Sequence, residues 1–211
     1  MAINRTKDTL EQAGDYQFPV CEIISYRIHG EEQQPYRQDI RQLVVTCELT
    51  EDIYSNNMVG ALTVFDSQDI RTMLPITGLE RLNLKFNTPG MPGINAVEGE
   101  GFPFQIYKID SVRVDPTNPR AQYYKIYFCS QEMYFNSLDR VSQAYAGPLE
   151  DGISKILRSK RFLNSKKKLY VEPTSTNTKL VIPNLRPYKA INMMAKSAIS
   201  GLYENAGYLF Y

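Results

Sequence analysis

The residue types that most often carry enzymatic chemistry are scarce in this sequence and lie far apart. The chain has one histidine, His29, within the stretch IHGEEQQP. Zinc sites need three or four ligands, and nucleophilic acyl transfer needs a histidine beside a serine or cysteine. A single histidine next to a glycine and two glutamates is better explained as a residue at the end of a β-hairpin. We therefore expect neither a metal site nor a histidine-dependent mechanism.

Neighbouring carboxylates, which could act as a general acid and a general base, occur at three places in the sequence. The pairs are Glu31/Glu32, Glu98/Glu100 and Glu150/Asp151. Two pairs lie in predicted loops, and the third lies in the first turn of a predicted helix, where acidic side chains stabilise the helix dipole. We predict no catalytic residue, no cofactor-binding residue, no metal ligand and no cofactor, and therefore no enzyme. A hydrolase whose carboxylates are distant in the sequence remains an open alternative.

The cysteine content and the hydropathy pattern limit where the protein is made. Cys21, Cys47 and Cys129 form no CxxC pair, and each lies in an apolar, strand-like stretch. This pattern predicts buried reduced thiols and synthesis in a reducing compartment. Residues 1–16 lack the apolar segment of a signal peptide. No run approaches the ~18 apolar residues that a membrane helix needs, so we expect no membrane span.

Residues 87–101, NTPGMPGINAVEGEG, form a glycine- and proline-rich segment that could suggest a phosphate-binding loop. A phosphate-binding loop connects a strand to the N-terminus of a helix, whereas a predicted strand follows this segment. We therefore interpret residues 87–101 as a flexible connection between two strands.

One run of positive charge stands out at residues 158–168, RSKRFLNSKKK. It holds six of the 24 basic residues, which leaves 18 against 23 acidic residues in the rest of the chain. A run after a helix is typical of a solvated loop, where cations compensate the helix dipole. The alternative is a small-barrel nucleic-acid-binding module that uses the run 158–168. Its affinity for oligonucleotides would fall steeply with salt and with neutralisation of Lys166, Lys167 and Lys168.

The first part of the chain contains six stretches of alternating apolar and polar residues, which predict β-strands. They are residues 24–28, 43–49, 61–65, 82–86, 104–114 and 123–129. The second stretch predicts one buried face, formed by Leu43, Val45, Cys47 and Leu49. Turns rich in glycine, proline and asparagine separate the stretches, which predicts an antiparallel sandwich or barrel.

From about residue 136 the apolar period becomes that of α-helices. One helix is predicted by the apolar positions Leu149, Ile153, Ile156 and Leu157. A second is predicted by an apolar stripe at residues 191–202, which begins after Pro187. Short strands are predicted at residues 169–172 and 180–182. An all-β segment followed by an α/β segment predicts two domains of an α+β protein.

The last residues, 207–211, are predicted to form an aromatic strand. A strand of this kind without a neighbour would be an exposed edge that invites association. We therefore expect either that the natural protein continues or that this strand completes its sheet on a partner.

Residues 60–86, GALTVFDSQDIRTMLPITGLERLNLKF, resemble a segment near the start of the baseplate hub proteins of T-even-type contractile-tail bacteriophages. In that family a strand ending in Asp-Ser leads to a short helical turn, and a Gly-x-Glu pair opens the next strand. The matching residues here are Phe65, Asp66, Ser67, Ile70, Gly78, Glu80, Leu82, Leu84 and Phe86.

Two further segments match the same family in the same order. Residues 147–157, GPLEDGISKIL, resemble the short helix after the first barrel of the hub proteins. Residues 181–211 resemble the segment in which a proline-headed helix runs into an aromatic strand. The matching residues of that segment are Pro183, Pro187, Ile191, Ala195, Ala198, Gly207, Tyr208 and Phe210.

The resemblance implies an α+β fold in which an antiparallel tube-type β-barrel precedes a smaller α/β domain. Together with the polar start of the sequence and the change of apolar period near residue 136, it divides the chain into a polar N-terminal arm at residues 1–19, the barrel at 20–134 and the α/β domain at 135–211. The last domain would be incomplete at its C-terminus, because hub proteins continue into a second barrel. The aliphatic residues around Pro75 would then form a barrel wall and its corner, with no chemistry of their own.

The resemblance also implies a structural virion protein, the central hub of a tail baseplate, which connects the tail spike to the tail tube around the DNA channel. The implied partners are two further copies in a homotrimer, the central spike protein, the tail-tube or tube-initiator protein and other baseplate proteins. DNA would be only passing cargo. The protein would lie in the tail baseplate of the virion after synthesis in the cytoplasm of the bacterial host.

Overall fold

A computed structural model describes residues 8–29, 34–118, 121–175, 177–203 and 205–210, with the backbone alone for residues 28 and 29. The chain divides into two compact units. The first unit comprises the described residues up to Thr50 together with Val59–Ser130. The second unit comprises Glu51–Met58 and the described residues from Gln131 onward. Part of the predicted N-terminal arm, residues 1–7, lies outside the described residues.

The first unit is built on one antiparallel sheet of eight strands. The strands are β1 (Gln17–His29), β2 (Pro35–Asp39), β3 (Val44–Thr50), β4 (Val59–Asp66), β5 (Arg81–Asn87), β6 (Ile94–Ala96), β7 (Phe104–Val114) and β8 (Gln122–Cys129). Their order in the sheet is β2-β1-β5-β7-β8-β4-β3, and β6 pairs with β5. A short helix, α1 (Ile70–Met73), lies between β4 and β5. The mostly antiparallel β structure and the few helices confirm the α+β class.

The alternation of side chains gives this sheet one buried face. On β8, Tyr124, Ile126 and Phe128 are buried. On the neighbouring β4, Leu62 and Val64 are buried directly opposite Ile126 and Tyr124. Because successive side chains of a strand point to opposite faces, these residues form one core layer while their neighbours in sequence face outward.

The predicted closed barrel is wrong, because the sheet is open. β2 and β3 lie at the two ends of the strand order, and no ladder joins them among the described strands. They are consecutive in the chain, joined by Ile40 and a 3₁₀ turn at Arg41–Leu43. The Ile40 N–H donates to the Cys21 carbonyl at 2.9 Å and so continues the pairing with β1. Closure requires the end strands to exchange backbone hydrogen bonds, whereas β2 and Ile40 pair with β1, and β3 pairs with β4.

The open edge also overturns part of the predicted buried face of β3. Leu43 is buried, but the Val45 side chain is 57% exposed and Cys47 is exposed. A strand at the end of a sheet has one neighbour only, so its apolar side chains lack part of the cover that an inner strand receives. Of the three reduced cysteines, Cys21 and Cys129 are buried as predicted, and burial raises the pKa of the Cys21 thiol.

The second unit contains three helices and a two-stranded antiparallel ribbon. They are α2 (Gln131–Leu138), β9 (Val141–Pro148), α3 (Leu149–Arg158), β10 (Asn177–Leu185) and α4 (Pro187–Lys196). The predicted apolar positions of α3 are all buried. Gly152 lets α3 approach its neighbours, because a Cβ at this position would collide with the Met194 and Tyr145 side chains.

Three predictions for the second unit differ from the structure. The apolar stripe predicted to reach Leu202 ends earlier, because α4 stops at Lys196 and the Leu202 side chain is 64% exposed. Residues 169–172 form no strand, and neither do residues 205–210, while Tyr211 lies outside the described residues. Among the described residues, no helix has both the length and the apolar character needed to cross a membrane.

Candidate functional site

The corner between β4 and β5 holds two fully buried carboxylates, and the first is Asp66. Its Oδ1 accepts hydrogen bonds from the backbone N–H groups of Gln68 and Ile70, at 3.0 and 3.1 Å. Its Oδ2 accepts from the Arg71 N–H and from the Tyr124 hydroxyl, both at 3.1 Å. Burial, reinforced by the Asp66 charge, raises the pKa of Tyr124. Asp66 therefore fixes the turn that leads into α1.

The second carboxylate is Glu80. Its Oε1 accepts from the Arg27 guanidinium, at 3.1 Å from Nε and 2.8 Å from Nη2. Its Oε2 accepts from three successive backbone N–H groups, those of Thr77, Gly78 and Leu79, at 2.8 to 3.2 Å. Burial alone raises the pKa of Glu80, but the hydrogen bonds from Arg27 and Thr77 outweigh it and hold the pKa below its ordinary value.

Both corner carboxylates have a structural role in this arrangement. Each oxygen of Asp66 and Glu80 accepts at least two hydrogen bonds from groups of the chain itself. Gln105 also anchors the corner to β7, since its side-chain amide donates to the carbonyls of Gly78 and Glu80 at 2.9 and 3.0 Å. The stretch 60–86 thus contains a corner of the sheet that hydrogen bonds of Asp66, Glu80 and Gln105 hold together.

The other carboxylate pairs of the sequence are placed differently. Glu98 lies 2.8 Å from Arg37, and Glu100 lies 3.0 Å from Lys85. Glu150 accepts a hydrogen bond from the Thr174 hydroxyl. Burial opposes ionisation of Glu150, but this hydrogen bond and backbone donors hold its pKa below the ordinary value. The side chain of His29 and the pair Glu31/Glu32 lie outside the described residues.

The segment 87–101 is more ordered than the sequence predicts. It contains β6, which pairs with β5, and a further bridge between Glu98 and Gly101. The ion pairs of Glu98 and Glu100 attach its C-terminal half to the sheet. This segment is therefore not a plain connection between two strands, because it contains β6. Sequence spacing does not show that its acids face cations on neighbouring strands.

The basic run 158–168 is folded against its own unit. Leu163 is buried, and the Arg158 side chain donates to the Ser165 carbonyl at 2.8 Å. Lys167 Nζ lies 3.0 Å from Oε2 of the buried Glu132. Lys168 Nζ lies over the Tyr170 ring, 4.7 Å from its centroid. Lys167 is therefore neutralised by a carboxylate of the chain itself, which leaves one cation fewer for phosphates than the sequence indicates.

Next to this run the second unit contains a cleft of about 560 Å³. Its walls come from the loop Glu51–Met58, the end of α3, residues 165–169, the start of α4 and Phe210. The volume falls within the range of about 300–1,000 Å³ that is common for ligand sites. We refer to it as the unit-two cleft.

The unit-two cleft brings together charges that are distant in the sequence. Arg158, Lys167 and Lys168 of the basic run line it together with the loop residues Glu51 and Asp52. Sequence reasoning singled out the run but missed its partners. Nothing in the spacing signals them, because the contact depends on the tertiary fold of the second unit.

The cleft also contains a buried carboxylate that sequence reasoning missed. Glu132 accepts a hydrogen bond from the Ser165 hydroxyl at 2.8 Å, besides its ion pair with Lys167. Within the described ranges, no group of three or more His, Cys, Asp and Glu side chains could hold a metal ion.

The fold that carries this corner and this cleft is similar to a solved structure. The tail protein from Neisseria meningitidis MC58 matches 86% of this chain with a TM-score of 0.51 and 10% sequence identity. The chain spans about 45% of the length of that protein. No family model matches the chain, and no curated protein sequence matches it. At this level of identity, the likeness establishes a shared fold.

Proposed function

We propose that this chain is a structural protein of a phage-type tail and, more narrowly, the central hub of a tail baseplate. The observation that carries the proposal is the fold shared with a tail protein over 86% of the chain. The order of the three hub-like segments in the sequence adds support. In this role the chain joins a central spike to a tail tube around the DNA channel, and DNA is only passing cargo.

The proposed role needs no catalysis and no cofactor. The proposed partners are two further copies in a homotrimer, the spike protein, the tail-tube or tube-initiator protein and other baseplate proteins. The engagement of Asp66 and Glu80 in structural hydrogen bonds supports a scaffold function. The protein is then a component of the virion baseplate, made in the cytoplasm of the bacterial host.

The ends of the open sheet offer a means of assembly. An end strand presents a row of backbone N–H and C=O groups to any strand that approaches. β2 carries features that discourage such pairing, since Pro35 opens it and the charged Arg37 and Asp39 follow. β3 has seven residues with neither proline nor lysine, and residues 45–48 are all exposed. Its one charged side chain, Glu48, lies 3.8 Å from Lys125 Nζ. We therefore assign the contact between copies to the β3 edge.

Replacing Val45 with lysine is expected to weaken self-association at least about tenfold while the fold persists. Val45 falls at an irregularity between the residues of β3 that pair with β4, so a lysine there adds charge to the edge and removes no ladder partner. Its exposure limits the change in unfolding free energy to about 0.5 kcal/mol. Size exclusion with light scattering over a range of concentrations measures the mass of each variant.

Val181→Lys is the matched control, because Val181 is 67% exposed on β10 and lies far along the chain from the β3 edge. It is expected to leave the mass unchanged. Equal association of Val45→Lys and the wild type would exclude the β3 edge as the contact. A wild-type chain that stays monomeric at every concentration would contradict self-assembly by this chain.

A further inference from the structure

We propose that the unit-two cleft binds a short extended segment of a partner polypeptide, in which a large apolar side chain lies between an acidic and a basic side chain. The assignment of that partner to the tail rests on the proposed function, whereas the chemistry of the segment follows from the cleft itself.

The apolar lining of the cleft is complementary to the apolar side chain of the bound peptide segment. The cleft is lined by Leu157 at the end of α3, Leu169, Tyr188 and Phe210, and the ring centroids of Tyr188 and Phe210 are 5.9 Å apart. Such a lining favours a large aliphatic or aromatic side chain, because entry of that side chain removes apolar surface on both partners from water.

The charged residues that line the cleft are complementary to the acidic and basic side chains of the bound peptide segment. Glu51 and Asp52 come from one loop, whereas Arg158 and Lys168 come from the basic run. Lys167 is neutralised by Glu132. Among the described residues, no salt bridge involves the two acidic loop residues, Glu51 and Asp52, or the two basic residues, Arg158 and Lys168. Two anions and two cations thus surround the apolar floor without an ion pair of their own, and they complement a ligand that carries both signs of charge.

The walls of the cleft are already fixed before any ligand arrives. The Asn56 side-chain amide donates to the Phe210 carbonyl at 2.5 Å, and Asn192 donates to the Asn56 Oδ1 at 3.1 Å. On the other side, the Arg158 guanidinium holds the Ser165 carbonyl at 2.8 Å. A preformed site loses little conformational entropy on binding, which favours a short segment with few contacts.

The combination of groups argues for a polypeptide over a nucleic acid. A phosphate backbone carries negative charge alone, so Glu51 and Asp52 would repel it. A peptide supplies an apolar side chain, a carboxylate and a cation on neighbouring residues, and its backbone can hydrogen-bond along the rim. The cleft therefore matches a peptide in its apolar side chain and in both signs of its charge.

The test is a selection of random displayed peptides of about twelve residues on the purified full chain. A selected peptide is then labelled with fluorescein, and its affinity is measured by fluorescence anisotropy. We expect the selected peptides to share an apolar position between opposite charges. Lys168→Glu and Glu51→Lys should each weaken binding about tenfold, since each reversal turns an attraction into a repulsion.

Lys160→Glu is the matched control, because Lys160 belongs to the same basic run but does not line the cleft. It should leave the affinity unchanged, and exchanging the acidic residue of the peptide for lysine should restore binding to Lys168→Glu. Selection of no peptide family, or equal affinity of the selected peptides for wild type and both cleft variants, would overturn the proposal.

The outcomes separate this proposal from the proposed function. A chain that assembles in light scattering but selects no peptide loses only the cleft assignment. A chain that binds the selected peptides through the cleft but never associates loses only the assembly role.

Discussion

Replacing Leu84 with aspartate is expected to lower the free energy of unfolding of the first unit by about 5 kcal/mol, enough to unfold a marginally stable domain. Leu84 is fully buried at the centre of β5, opposite Cys21 on β1 and Ala96 on β6. The change removes about 2–3 kcal/mol of apolar burial. It also places a carboxylate where the neighbouring side chains are apolar, which adds a desolvation cost of at least similar size.

Leu79→Asp is the matched control for this prediction, because it makes the same change five residues earlier in the same corner. Leu79 is 54% exposed, so the carboxylate of the introduced aspartate stays in water. The expected change in the free energy of unfolding is within about 0.5 kcal/mol. Denaturant unfolding followed by circular dichroism measures both variants. If Leu84→Asp unfolds at the same denaturant concentration as Leu79→Asp, the buried face assigned to β5 is wrong.

The inward-facing residues of the inner strands could be predicted from the sequence, because every second side chain of such a strand faces the core. β5 and β8 each have strands on both sides, so alternation alone places Leu84 and Ile126 in the core. The same rule failed at Val45 and Cys47. Alternation tells which face a side chain lies on, but it does not tell whether that part of the face is covered.

The closure of the sheet and the unit-two cleft could not be predicted for a related reason. Both depend on contacts between segments that no local pattern connects. Glu132 and Lys167 are 35 positions apart and form their ion pair only because α2 and the basic run meet in the second unit. Composition showed that the run 158–168 is basic, but only the tertiary fold shows which of its cations are already neutralised.

The two acidic residues of the corner show what the resemblance alone did not explain. Asp66 and Glu80 were singled out as matching residues in the sequence. Their hydrogen bonds supply the physical reason for those residue types, since each carboxylate satisfies backbone N–H groups of a turn that forms no regular ladder. An acidic residue in a tight corner is therefore explained by the backbone donors around it before any catalytic role is considered.

Replacing Glu80 with alanine is expected to lower the unfolding free energy of the first unit by about 3 kcal/mol. The change leaves three partly buried backbone donors, those of Thr77, Gly78 and Leu79, without their acceptor and removes the ionic partner of Arg27. The Arg27 side chain is partly exposed, so water compensates part of the loss and the effect stays below that of Leu84→Asp. Denaturant unfolding at neutral pH measures it.

The pH dependence of the Glu80→Gln variant tests the same contacts. Loss of side-chain volume alone would lower the unfolding free energy equally at every pH, whereas loss of the carboxylate charge would not. The pKa of Glu80 is lowered in the folded chain by hydrogen bonds that outweigh its burial, so the folded state binds this proton less readily than the unfolded state. Its contribution is complete above the ordinary pKa of about 4.5 and is lost as the pH falls through the folded value. The difference in unfolding free energy between wild type and Glu80→Gln should therefore be largest at neutral pH and shrink in acid. A difference that stays constant from neutral pH to below the folded pKa would show that the carboxylate charge does not stabilise the corner, and that Glu80 acts there through its shape alone.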